Sequence, residues 1–252
     1  MNSTIALTRR AFRAFGGNDL RGTYRDPLLV MLVLAPVIWT SGVAILTPRV
    51  TRMLHERNGF DLTPYNPLIL TGFLLLTSVI VAGGLAAFLM LDEIDAGTLT
   101  AVRVTPVPVA AYLAYRCVTV IVVTLVYVVA TLPATGLLSP GVLPVLVPIG
   151  LLAGVSAVVA TLMILSLAHN KIQGLAAIRA LGMLIAGLPC LGWFVDSGWN
   201  LAFGVLPSYW VAKAFWVASA HQSWWPYVVV GVAYNIAVGW PLFRRLVDSN
   251  PV

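Results

Sequence analysis

Apolar residues run in long blocks along this chain, separated by short polar interruptions. The blocks lie near residues 28–46, 67–90, 109–132, 141–167, 175–195 and 224–243, each about 19 to 27 residues long. A helix rises about 1.5 Å per residue, so each block reaches across a hydrocarbon core of roughly 30 Å. The pattern predicts six spanning helices and an all-α integral membrane protein. Pro36 inside the first block predicts a kink. Pro144 and Pro148 stand near the start of the fourth, where a missing N–H costs little.

The interruptions carry the rest of the pattern. Residues 47–66 read as a polar connection with Arg49, Arg52, His55, Glu56, Arg57 and Asp61. Residues 133–140 read as an uncharged turn, and His169-Asn170-Lys171 as a tight polar link. Residues 196–223 are too apolar for a simple loop, with Trp199, Phe203, Leu206, Pro207, Tyr209, Trp210, Phe215 and Trp216. They are too broken for a seventh span, because Gly198, Gly204, Pro207 and Lys213 interrupt them. This re-entrant region predicts one or two short helices dipping into the outer leaflet, with aromatic side chains at headgroup depth. An aromatic belt around an ordinary loop is the alternative. Ahead of the first block, residues 5–24 place Ile5, Phe12 and Phe15 on one helical face, with Arg9, Arg10 and Arg13 largely opposite. That pattern predicts an amphipathic interfacial helix, broken at Gly16-Gly17. A plain basic tail would satisfy the same charges.

Composition agrees with the blocks. The chain has 252 residues, 60% hydrophobic and 10% charged, where soluble domains carry roughly 25% charged residues. Residues 1–252 therefore read as one transmembrane domain, with no polar stretch long enough for a soluble one. The net charge of +6 comes from short connections and tails, so it serves topology and headgroup contact rather than nucleic acid. Six spans put both termini on one side. That side holds Arg9, Arg10, Arg13, Arg21, Arg25, Arg103, Lys171, Arg244 and Arg245; the other holds Arg49, Arg52, Arg57 and Lys213. The excess of basic residues predicts both termini in the cytoplasm, in a bacterial plasma membrane.

One connection stands apart. After the second block comes LDEIDAGTLTAVRVTPVP, residues 91–108. Asp92, Glu93 and Asp95 lead, Gly97-Thr98 follow, and Leu99, Val102 and Val104 could pin one face of a short helix to the membrane surface. Pro106 and Pro108 stop that helix and allow the next to start. This order resembles the cytoplasmic coupling segment of ABC-2 type transporter permeases, matching at Glu93, Gly97, Thr98, Leu99, Thr105 and Pro106, while Asp92, Ile94 and Asp95 depart from the usual basic-acidic alternation. Pro207-Ser208-Tyr209-Trp210 is similar to an element of the family's re-entrant helices, and the chain looks most like actinobacterial drug-export permeases of the fluoroquinolone-exporter kind.

The resemblance implies a permease subunit of an ATP-driven exporter for a lipid-like, glycan-linked or drug-like molecule. It implies a separate ATPase subunit that binds ATP and Mg, a second permease subunit, and membrane lipid around both. It implies that residues 91–106 couple the ATPase to the spans, with Asp95 beside the matched residues. It also implies that Pro207, Tyr209, Trp210 and Trp216 border the exit.

Other chemistry finds little support in the residues. No P-loop, His-Glu-x-x-His, Gly-x-Ser-x-Gly or Cys-x-x-Cys occurs, so no catalytic set, metal site or cofactor of this chain is predicted. Cys117 and Cys190 read as small buried residues. Arg116 and Arg179 lie near the ends of spans three and five and read as snorkelling to headgroups, with a substrate role as the alternative. Gly150 and Gly154 read as helix packing, with a subunit seam as the alternative. A non-transporting scaffold and a secondary carrier are the rival functions. The carrier is disfavoured because every acid falls in a connection or near a terminus.

Overall fold

A computed structural model describes residues 27–95, 109–195 and 198–248. Every regular element among them is a helix, and six are long and apolar enough to cross a membrane. The six spans of the sequence pattern are all present. The expected interfacial helix at 5–24 lies outside the described residues. So do Gly97, Thr98, Leu99, Thr105 and Pro106 of the coupling stretch.

Helix α1, Pro27–Asn58, runs well past its apolar block. The expected connection from residue 47 is therefore helical up to Asn58. Pro48 removes a single N–H, and Thr51 ties its hydroxyl back to the Thr47 carbonyl at 2.8 Å. What ends the helix is Gly59, at φ +65°, whose N–H returns to the His55 carbonyl at 3.0 Å. Helix α2, Thr63–Asp95, begins as a 3-10 turn and carries a π turn at Thr71–Leu75. It too outlasts its block, so Asp92, Glu93 and Asp95 belong to a helix end and not to a loop. Helix α3 is Val109–Ala134, and α4 covers Pro140–Leu167. Helix α5, Lys171–Phe194, carries a second π turn at Met183–Gly187. A 3-10 helix, Gly198–Val205, and the short helix α6, Tyr209–Ser219, lead to α7, Trp225–Asp248.

Helix α4 is the axis of the fold, packed against α2, α3 and α7. Lipid tails are as apolar as leucine, so close contact between spans rests on small residues that bring backbones together. At Gly154 an added Cβ would lie 2.8 Å from the Ile121 Cα of α3, and at Gly83 of α2 it would lie 2.8 Å from the Ala157 carbonyl of α4. Gly150 and Gly154 thus seat α3 against α4 within one chain. Helix α7 repeats the device: its buried residues are Gly231, Asn235 and Gly239, spaced four apart on one stripe.

The region 196–223 holds the two short helices expected of it, but most of its aromatic side chains pack inward. Tyr209, Phe215 and Trp216 are buried in the protein core, and among the described aromatic residues of the region Trp199, 79% exposed, stands fully out. The reason is local bonding. The Trp216 indole donates to Thr71 Oγ1 at 2.8 Å, and Ser208 donates to the Ile185 carbonyl at 2.6 Å. Thr71 and Ile185 sit in the two π turns, so α6 docks on both. Asn235 Nδ2 donates to the Pro207 carbonyl at 3.1 Å and fixes the entry to α6.

Candidate functional site

Three acids at the C-terminal end of α2 face an unfavourable dipole, since the carbonyl end of a helix is already negative. Opposite charge must come from neighbouring helices. Successive helical residues point about 100° apart, so Asp92 and Glu93 look in different directions, while Asp92 and Asp95 share a face. The structure follows this split.

Glu93 turns to α3. Its Oε1 lies 2.7 Å from Arg116 Nη2. Tyr112 donates its hydroxyl to Glu93 Oε2, and Arg116 Nε donates to that same hydroxyl at 2.9 Å. The three side chains close a ring of charge-assisted bonds. The guanidinium also stands over the Tyr112 ring, 5.3 Å from its centre. Arg116 is only 3% exposed. The snorkelling expected from the sequence is not observed; a counter-charge within reach makes burial cheaper than bending to the headgroups.

Asp92 and Asp95 turn to α5. Lys171 Nζ lies 2.8 Å from Asp92 Oδ1, and the Lys171 backbone N–H donates to Asp95 Oδ2 at 3.2 Å. Asn170 caps α5 by accepting from the Gln173 N–H at 2.9 Å. Gly174, one turn on, lets α5 close upon α2: a Cβ there would lie 2.6 Å from Leu91 Cδ1. Asp95 thus meets the positive N-terminal end of α5.

The result is a staple of charges joining α2, α3 and α5 at one end of the bundle. It also brackets the stretch 96–108, which leaves α2 after Asp95 and enters α3 at Val109. Of the residues expected to couple, Glu93 and Asp95 are brought to this staple. Glu93 bonds to Arg116 and Tyr112 of α3; the basic residue of an ATPase or of the N-terminal helix that it was expected to meet lies outside the described residues. The exit residues Pro207, Tyr209, Trp210 and Trp216 lie apart from the staple, around α6. Trp210 donates its indole N–H to the Gly204 carbonyl at 3.0 Å.

Arg116, Tyr112, Lys171 and Asp92 are members that sequence reasoning missed. A signal was present: an arginine inside an apolar run points to a nearby acid by default, and Tyr112 and Arg116 are one helical turn apart. Arg179 is exposed on α5, and Cys117 and Cys190 are free thiols. Among the described residues no group of histidines, cysteines and acids could hold a metal ion.

Comparison with known proteins decides the family. Residues 19–243 match the family described as fluoroquinolones export permease protein Rv2686c-like. The chain belongs to this family of export permeases. Fluoroquinolones export permease protein Rv2686c and fluoroquinolones export permease protein MT2760, from two strains of Mycobacterium tuberculosis, are each 69% identical over 236 residues, covering 94% of both chains. No solved structure matches. As a member of the Rv2686c-like family with six apolar helices, the protein is a multi-pass membrane permease, a transport subunit.

Proposed function

We propose that the protein is the permease subunit of an ATP-driven ABC-2 type exporter, moving drug-like amphipathic molecules, fluoroquinolones among them, out of the cytoplasm. A separate ATPase subunit would hydrolyse ATP, and a second permease subunit would complete the path. The observation that carries this reading is the charge staple bracketing 96–108. A cytoplasmic segment can drive spans only if its two ends are held stiffly to them. Glu93–Arg116 ties the exit of α2 to α3, and Asp92 and Asp95 tie it to α5. A push on the segment would then move three helices together, and α6, docked on α2 and α5, would follow at the far end.

In proteoliposomes holding permease and ATPase, ciprofloxacin should be moved in an ATP-dependent way and should stimulate hydrolysis. Lys171→Gln separates coupling from folding. Its pair is partly solvated, so stability should fall by no more than about 1 kcal/mol. Stimulated hydrolysis should fall several-fold. Full stimulation in Lys171→Gln would remove the staple from the coupling path, and an absence of ATP-dependent movement by the native protein would defeat the export reading.

The excess of basic residues supports an orientation with both termini, and the staple, on the cytoplasmic side. Asn2→Cys and Asn250→Cys should stay unlabelled by an impermeant maleimide in intact cells, while Arg57→Cys should label readily. Labelling in the reverse pattern would invert the topology.

A further inference from the structure

At the opposite end of the bundle from the staple, the extension of α1 leans over the start of α2 and leaves a cleft of about 370 Å³. Ligand pockets commonly run from about 300 to 1,000 Å³, so the volume suits a small organic molecule. Its two walls differ in chemistry. The α1 wall presents Arg52 and His55, three residues apart on one helical face. The facing wall presents Asp61 and Asn66, from the loop and first turn before the apolar part of α2. A guanidinium and an imidazole stand on one side, and a carboxylate on the other.

Asp61 is already set in place. The Thr63 N–H donates to its Oδ1 at 2.9 Å. Thr63, through hydroxyl and N–H, holds the Asp61 carboxyl below its ordinary value, and His55 across the cleft adds to that. Asp61 is therefore ionised at neutral pH. Asn66 completes the lining beside Asp61, with its Oδ1 turned inward and buried.

We propose that this cleft binds a small zwitterion, its carboxylate or phosphate held by Arg52 and His55 and its ammonium held by Asp61. An arginine fork meets a planar carboxylate or a phosphate with two parallel bonds, and an ammonium brings three donors to the acceptor wall. A purely anionic ligand would meet Asp61, and a purely cationic one would meet Arg52, so each is rejected by one wall. Two sources have this chemistry: a soluble drug-like zwitterion on its way out, and the headgroup of a zwitterionic lipid. As a release-side station the cleft rests on the export reading and its orientation; as a binding site it does not.

The experiment measures binding without transport. Purified native protein, Arg52→Gln and Asp61→Asn are placed in nanodiscs of phosphatidylglycerol alone. One arm titrates ciprofloxacin, which carries a carboxylate and a piperazine ammonium, and follows its fluorescence. The other arm adds phosphatidylethanolamine and counts retained lipid by native mass spectrometry. Both substituted residues are exposed, so the fold should persist, and an unchanged melting temperature checks this. The native protein should bind at least one probe, and each variant should bind that probe at least tenfold more weakly. The arm that responds identifies the source. Equal binding by native protein and variants, or binding of neither probe by the native protein, overturns the proposal. ATP-driven efflux is measured beside it: lost efflux with retained binding sinks the export reading alone, and retained efflux with no binding at the cleft sinks the cleft alone.

Discussion

Arg116→Met should cost about 3–5 kcal/mol of stability, because it removes the buried guanidinium that pairs with the Glu93 carboxylate. Methionine keeps most of the side-chain volume, so the loss reports charge rather than a cavity. Glu93 retains the Tyr112 hydroxyl, which is a dipole and not a cation. The double variant Glu93→Gln with Arg116→Met removes both charges, and most of the loss should be recovered. Replacing a buried ion pair as a unit is often near neutral, whereas breaking it is not. The measurement is unfolding in mixed micelles of detergent and SDS, followed by tryptophan fluorescence. If Arg116→Met costs less than about 1 kcal/mol, a value typical of an exposed pair, the ring of Glu93, Tyr112 and Arg116 is solvated and does not hold α2 to α3. The same logic revises what Glu93→Ala means. Its first effect falls on the permease itself, so weaker assembly with an ATPase must be judged against that loss.

Trp216→Ala should cost about 3 kcal/mol, the low end of the range for emptying a large aromatic site in a core. The low end applies because the reference state lies in lipid, where little hydrophobic transfer energy is at stake and lost packing dominates. The indole is buried, meets Trp193 edge-on with centroids 5.3 Å apart, and donates to Thr71. Trp199→Ala, at an exposed site in the same region, should stay within about 0.5 kcal/mol. Equal losses at the two positions would show that the aromatic residues form a belt and that α6 is not docked on the π turns. Because Trp216 supports the fold, an export defect in Trp216→Ala or Trp210→Asp speaks for the exit path only when protein level and melting temperature are unchanged.

The spans were legible because lipid forces them to be: a helix of wholly apolar residues has few other environments open to it. Their ends were less so. Residues 49–58 carry five charged or titratable side chains, Arg49, Arg52, His55, Glu56 and Arg57, which read as a polar connection although Val50, Met53 and Leu54 keep helical spacing. What extends α1 is continuity with the span behind it, up to Gly59. The acids of α2 were visible as a cluster, but their partners were not. Arg116 and Lys171 are chosen by which helices lie side by side, and a single sequence does not print distances. The aromatic residues of 196–223 fit a headgroup belt and a packed core equally well by composition; the hydrogen bonds of Trp216 and Ser208 decide between them.

The two arms of the staple also differ in when they can form. Arg116 follows Glu93 by 23 positions, and Lys171 follows Asp92 by 79. At roughly 5–20 residues per second of synthesis, the first partner emerges about 1–5 seconds after its acid and the second about 4–16 seconds after. Glu93 and Arg116 can therefore enter the bilayer as a pair, joining α2 and α3 at one end. Asp92 and Asp95 remain open until α4 has crossed and α5 begins. The spacing thus favours the hairpin of α2 and α3 as the earlier unit, with the contact of α5 added once Lys171 has emerged.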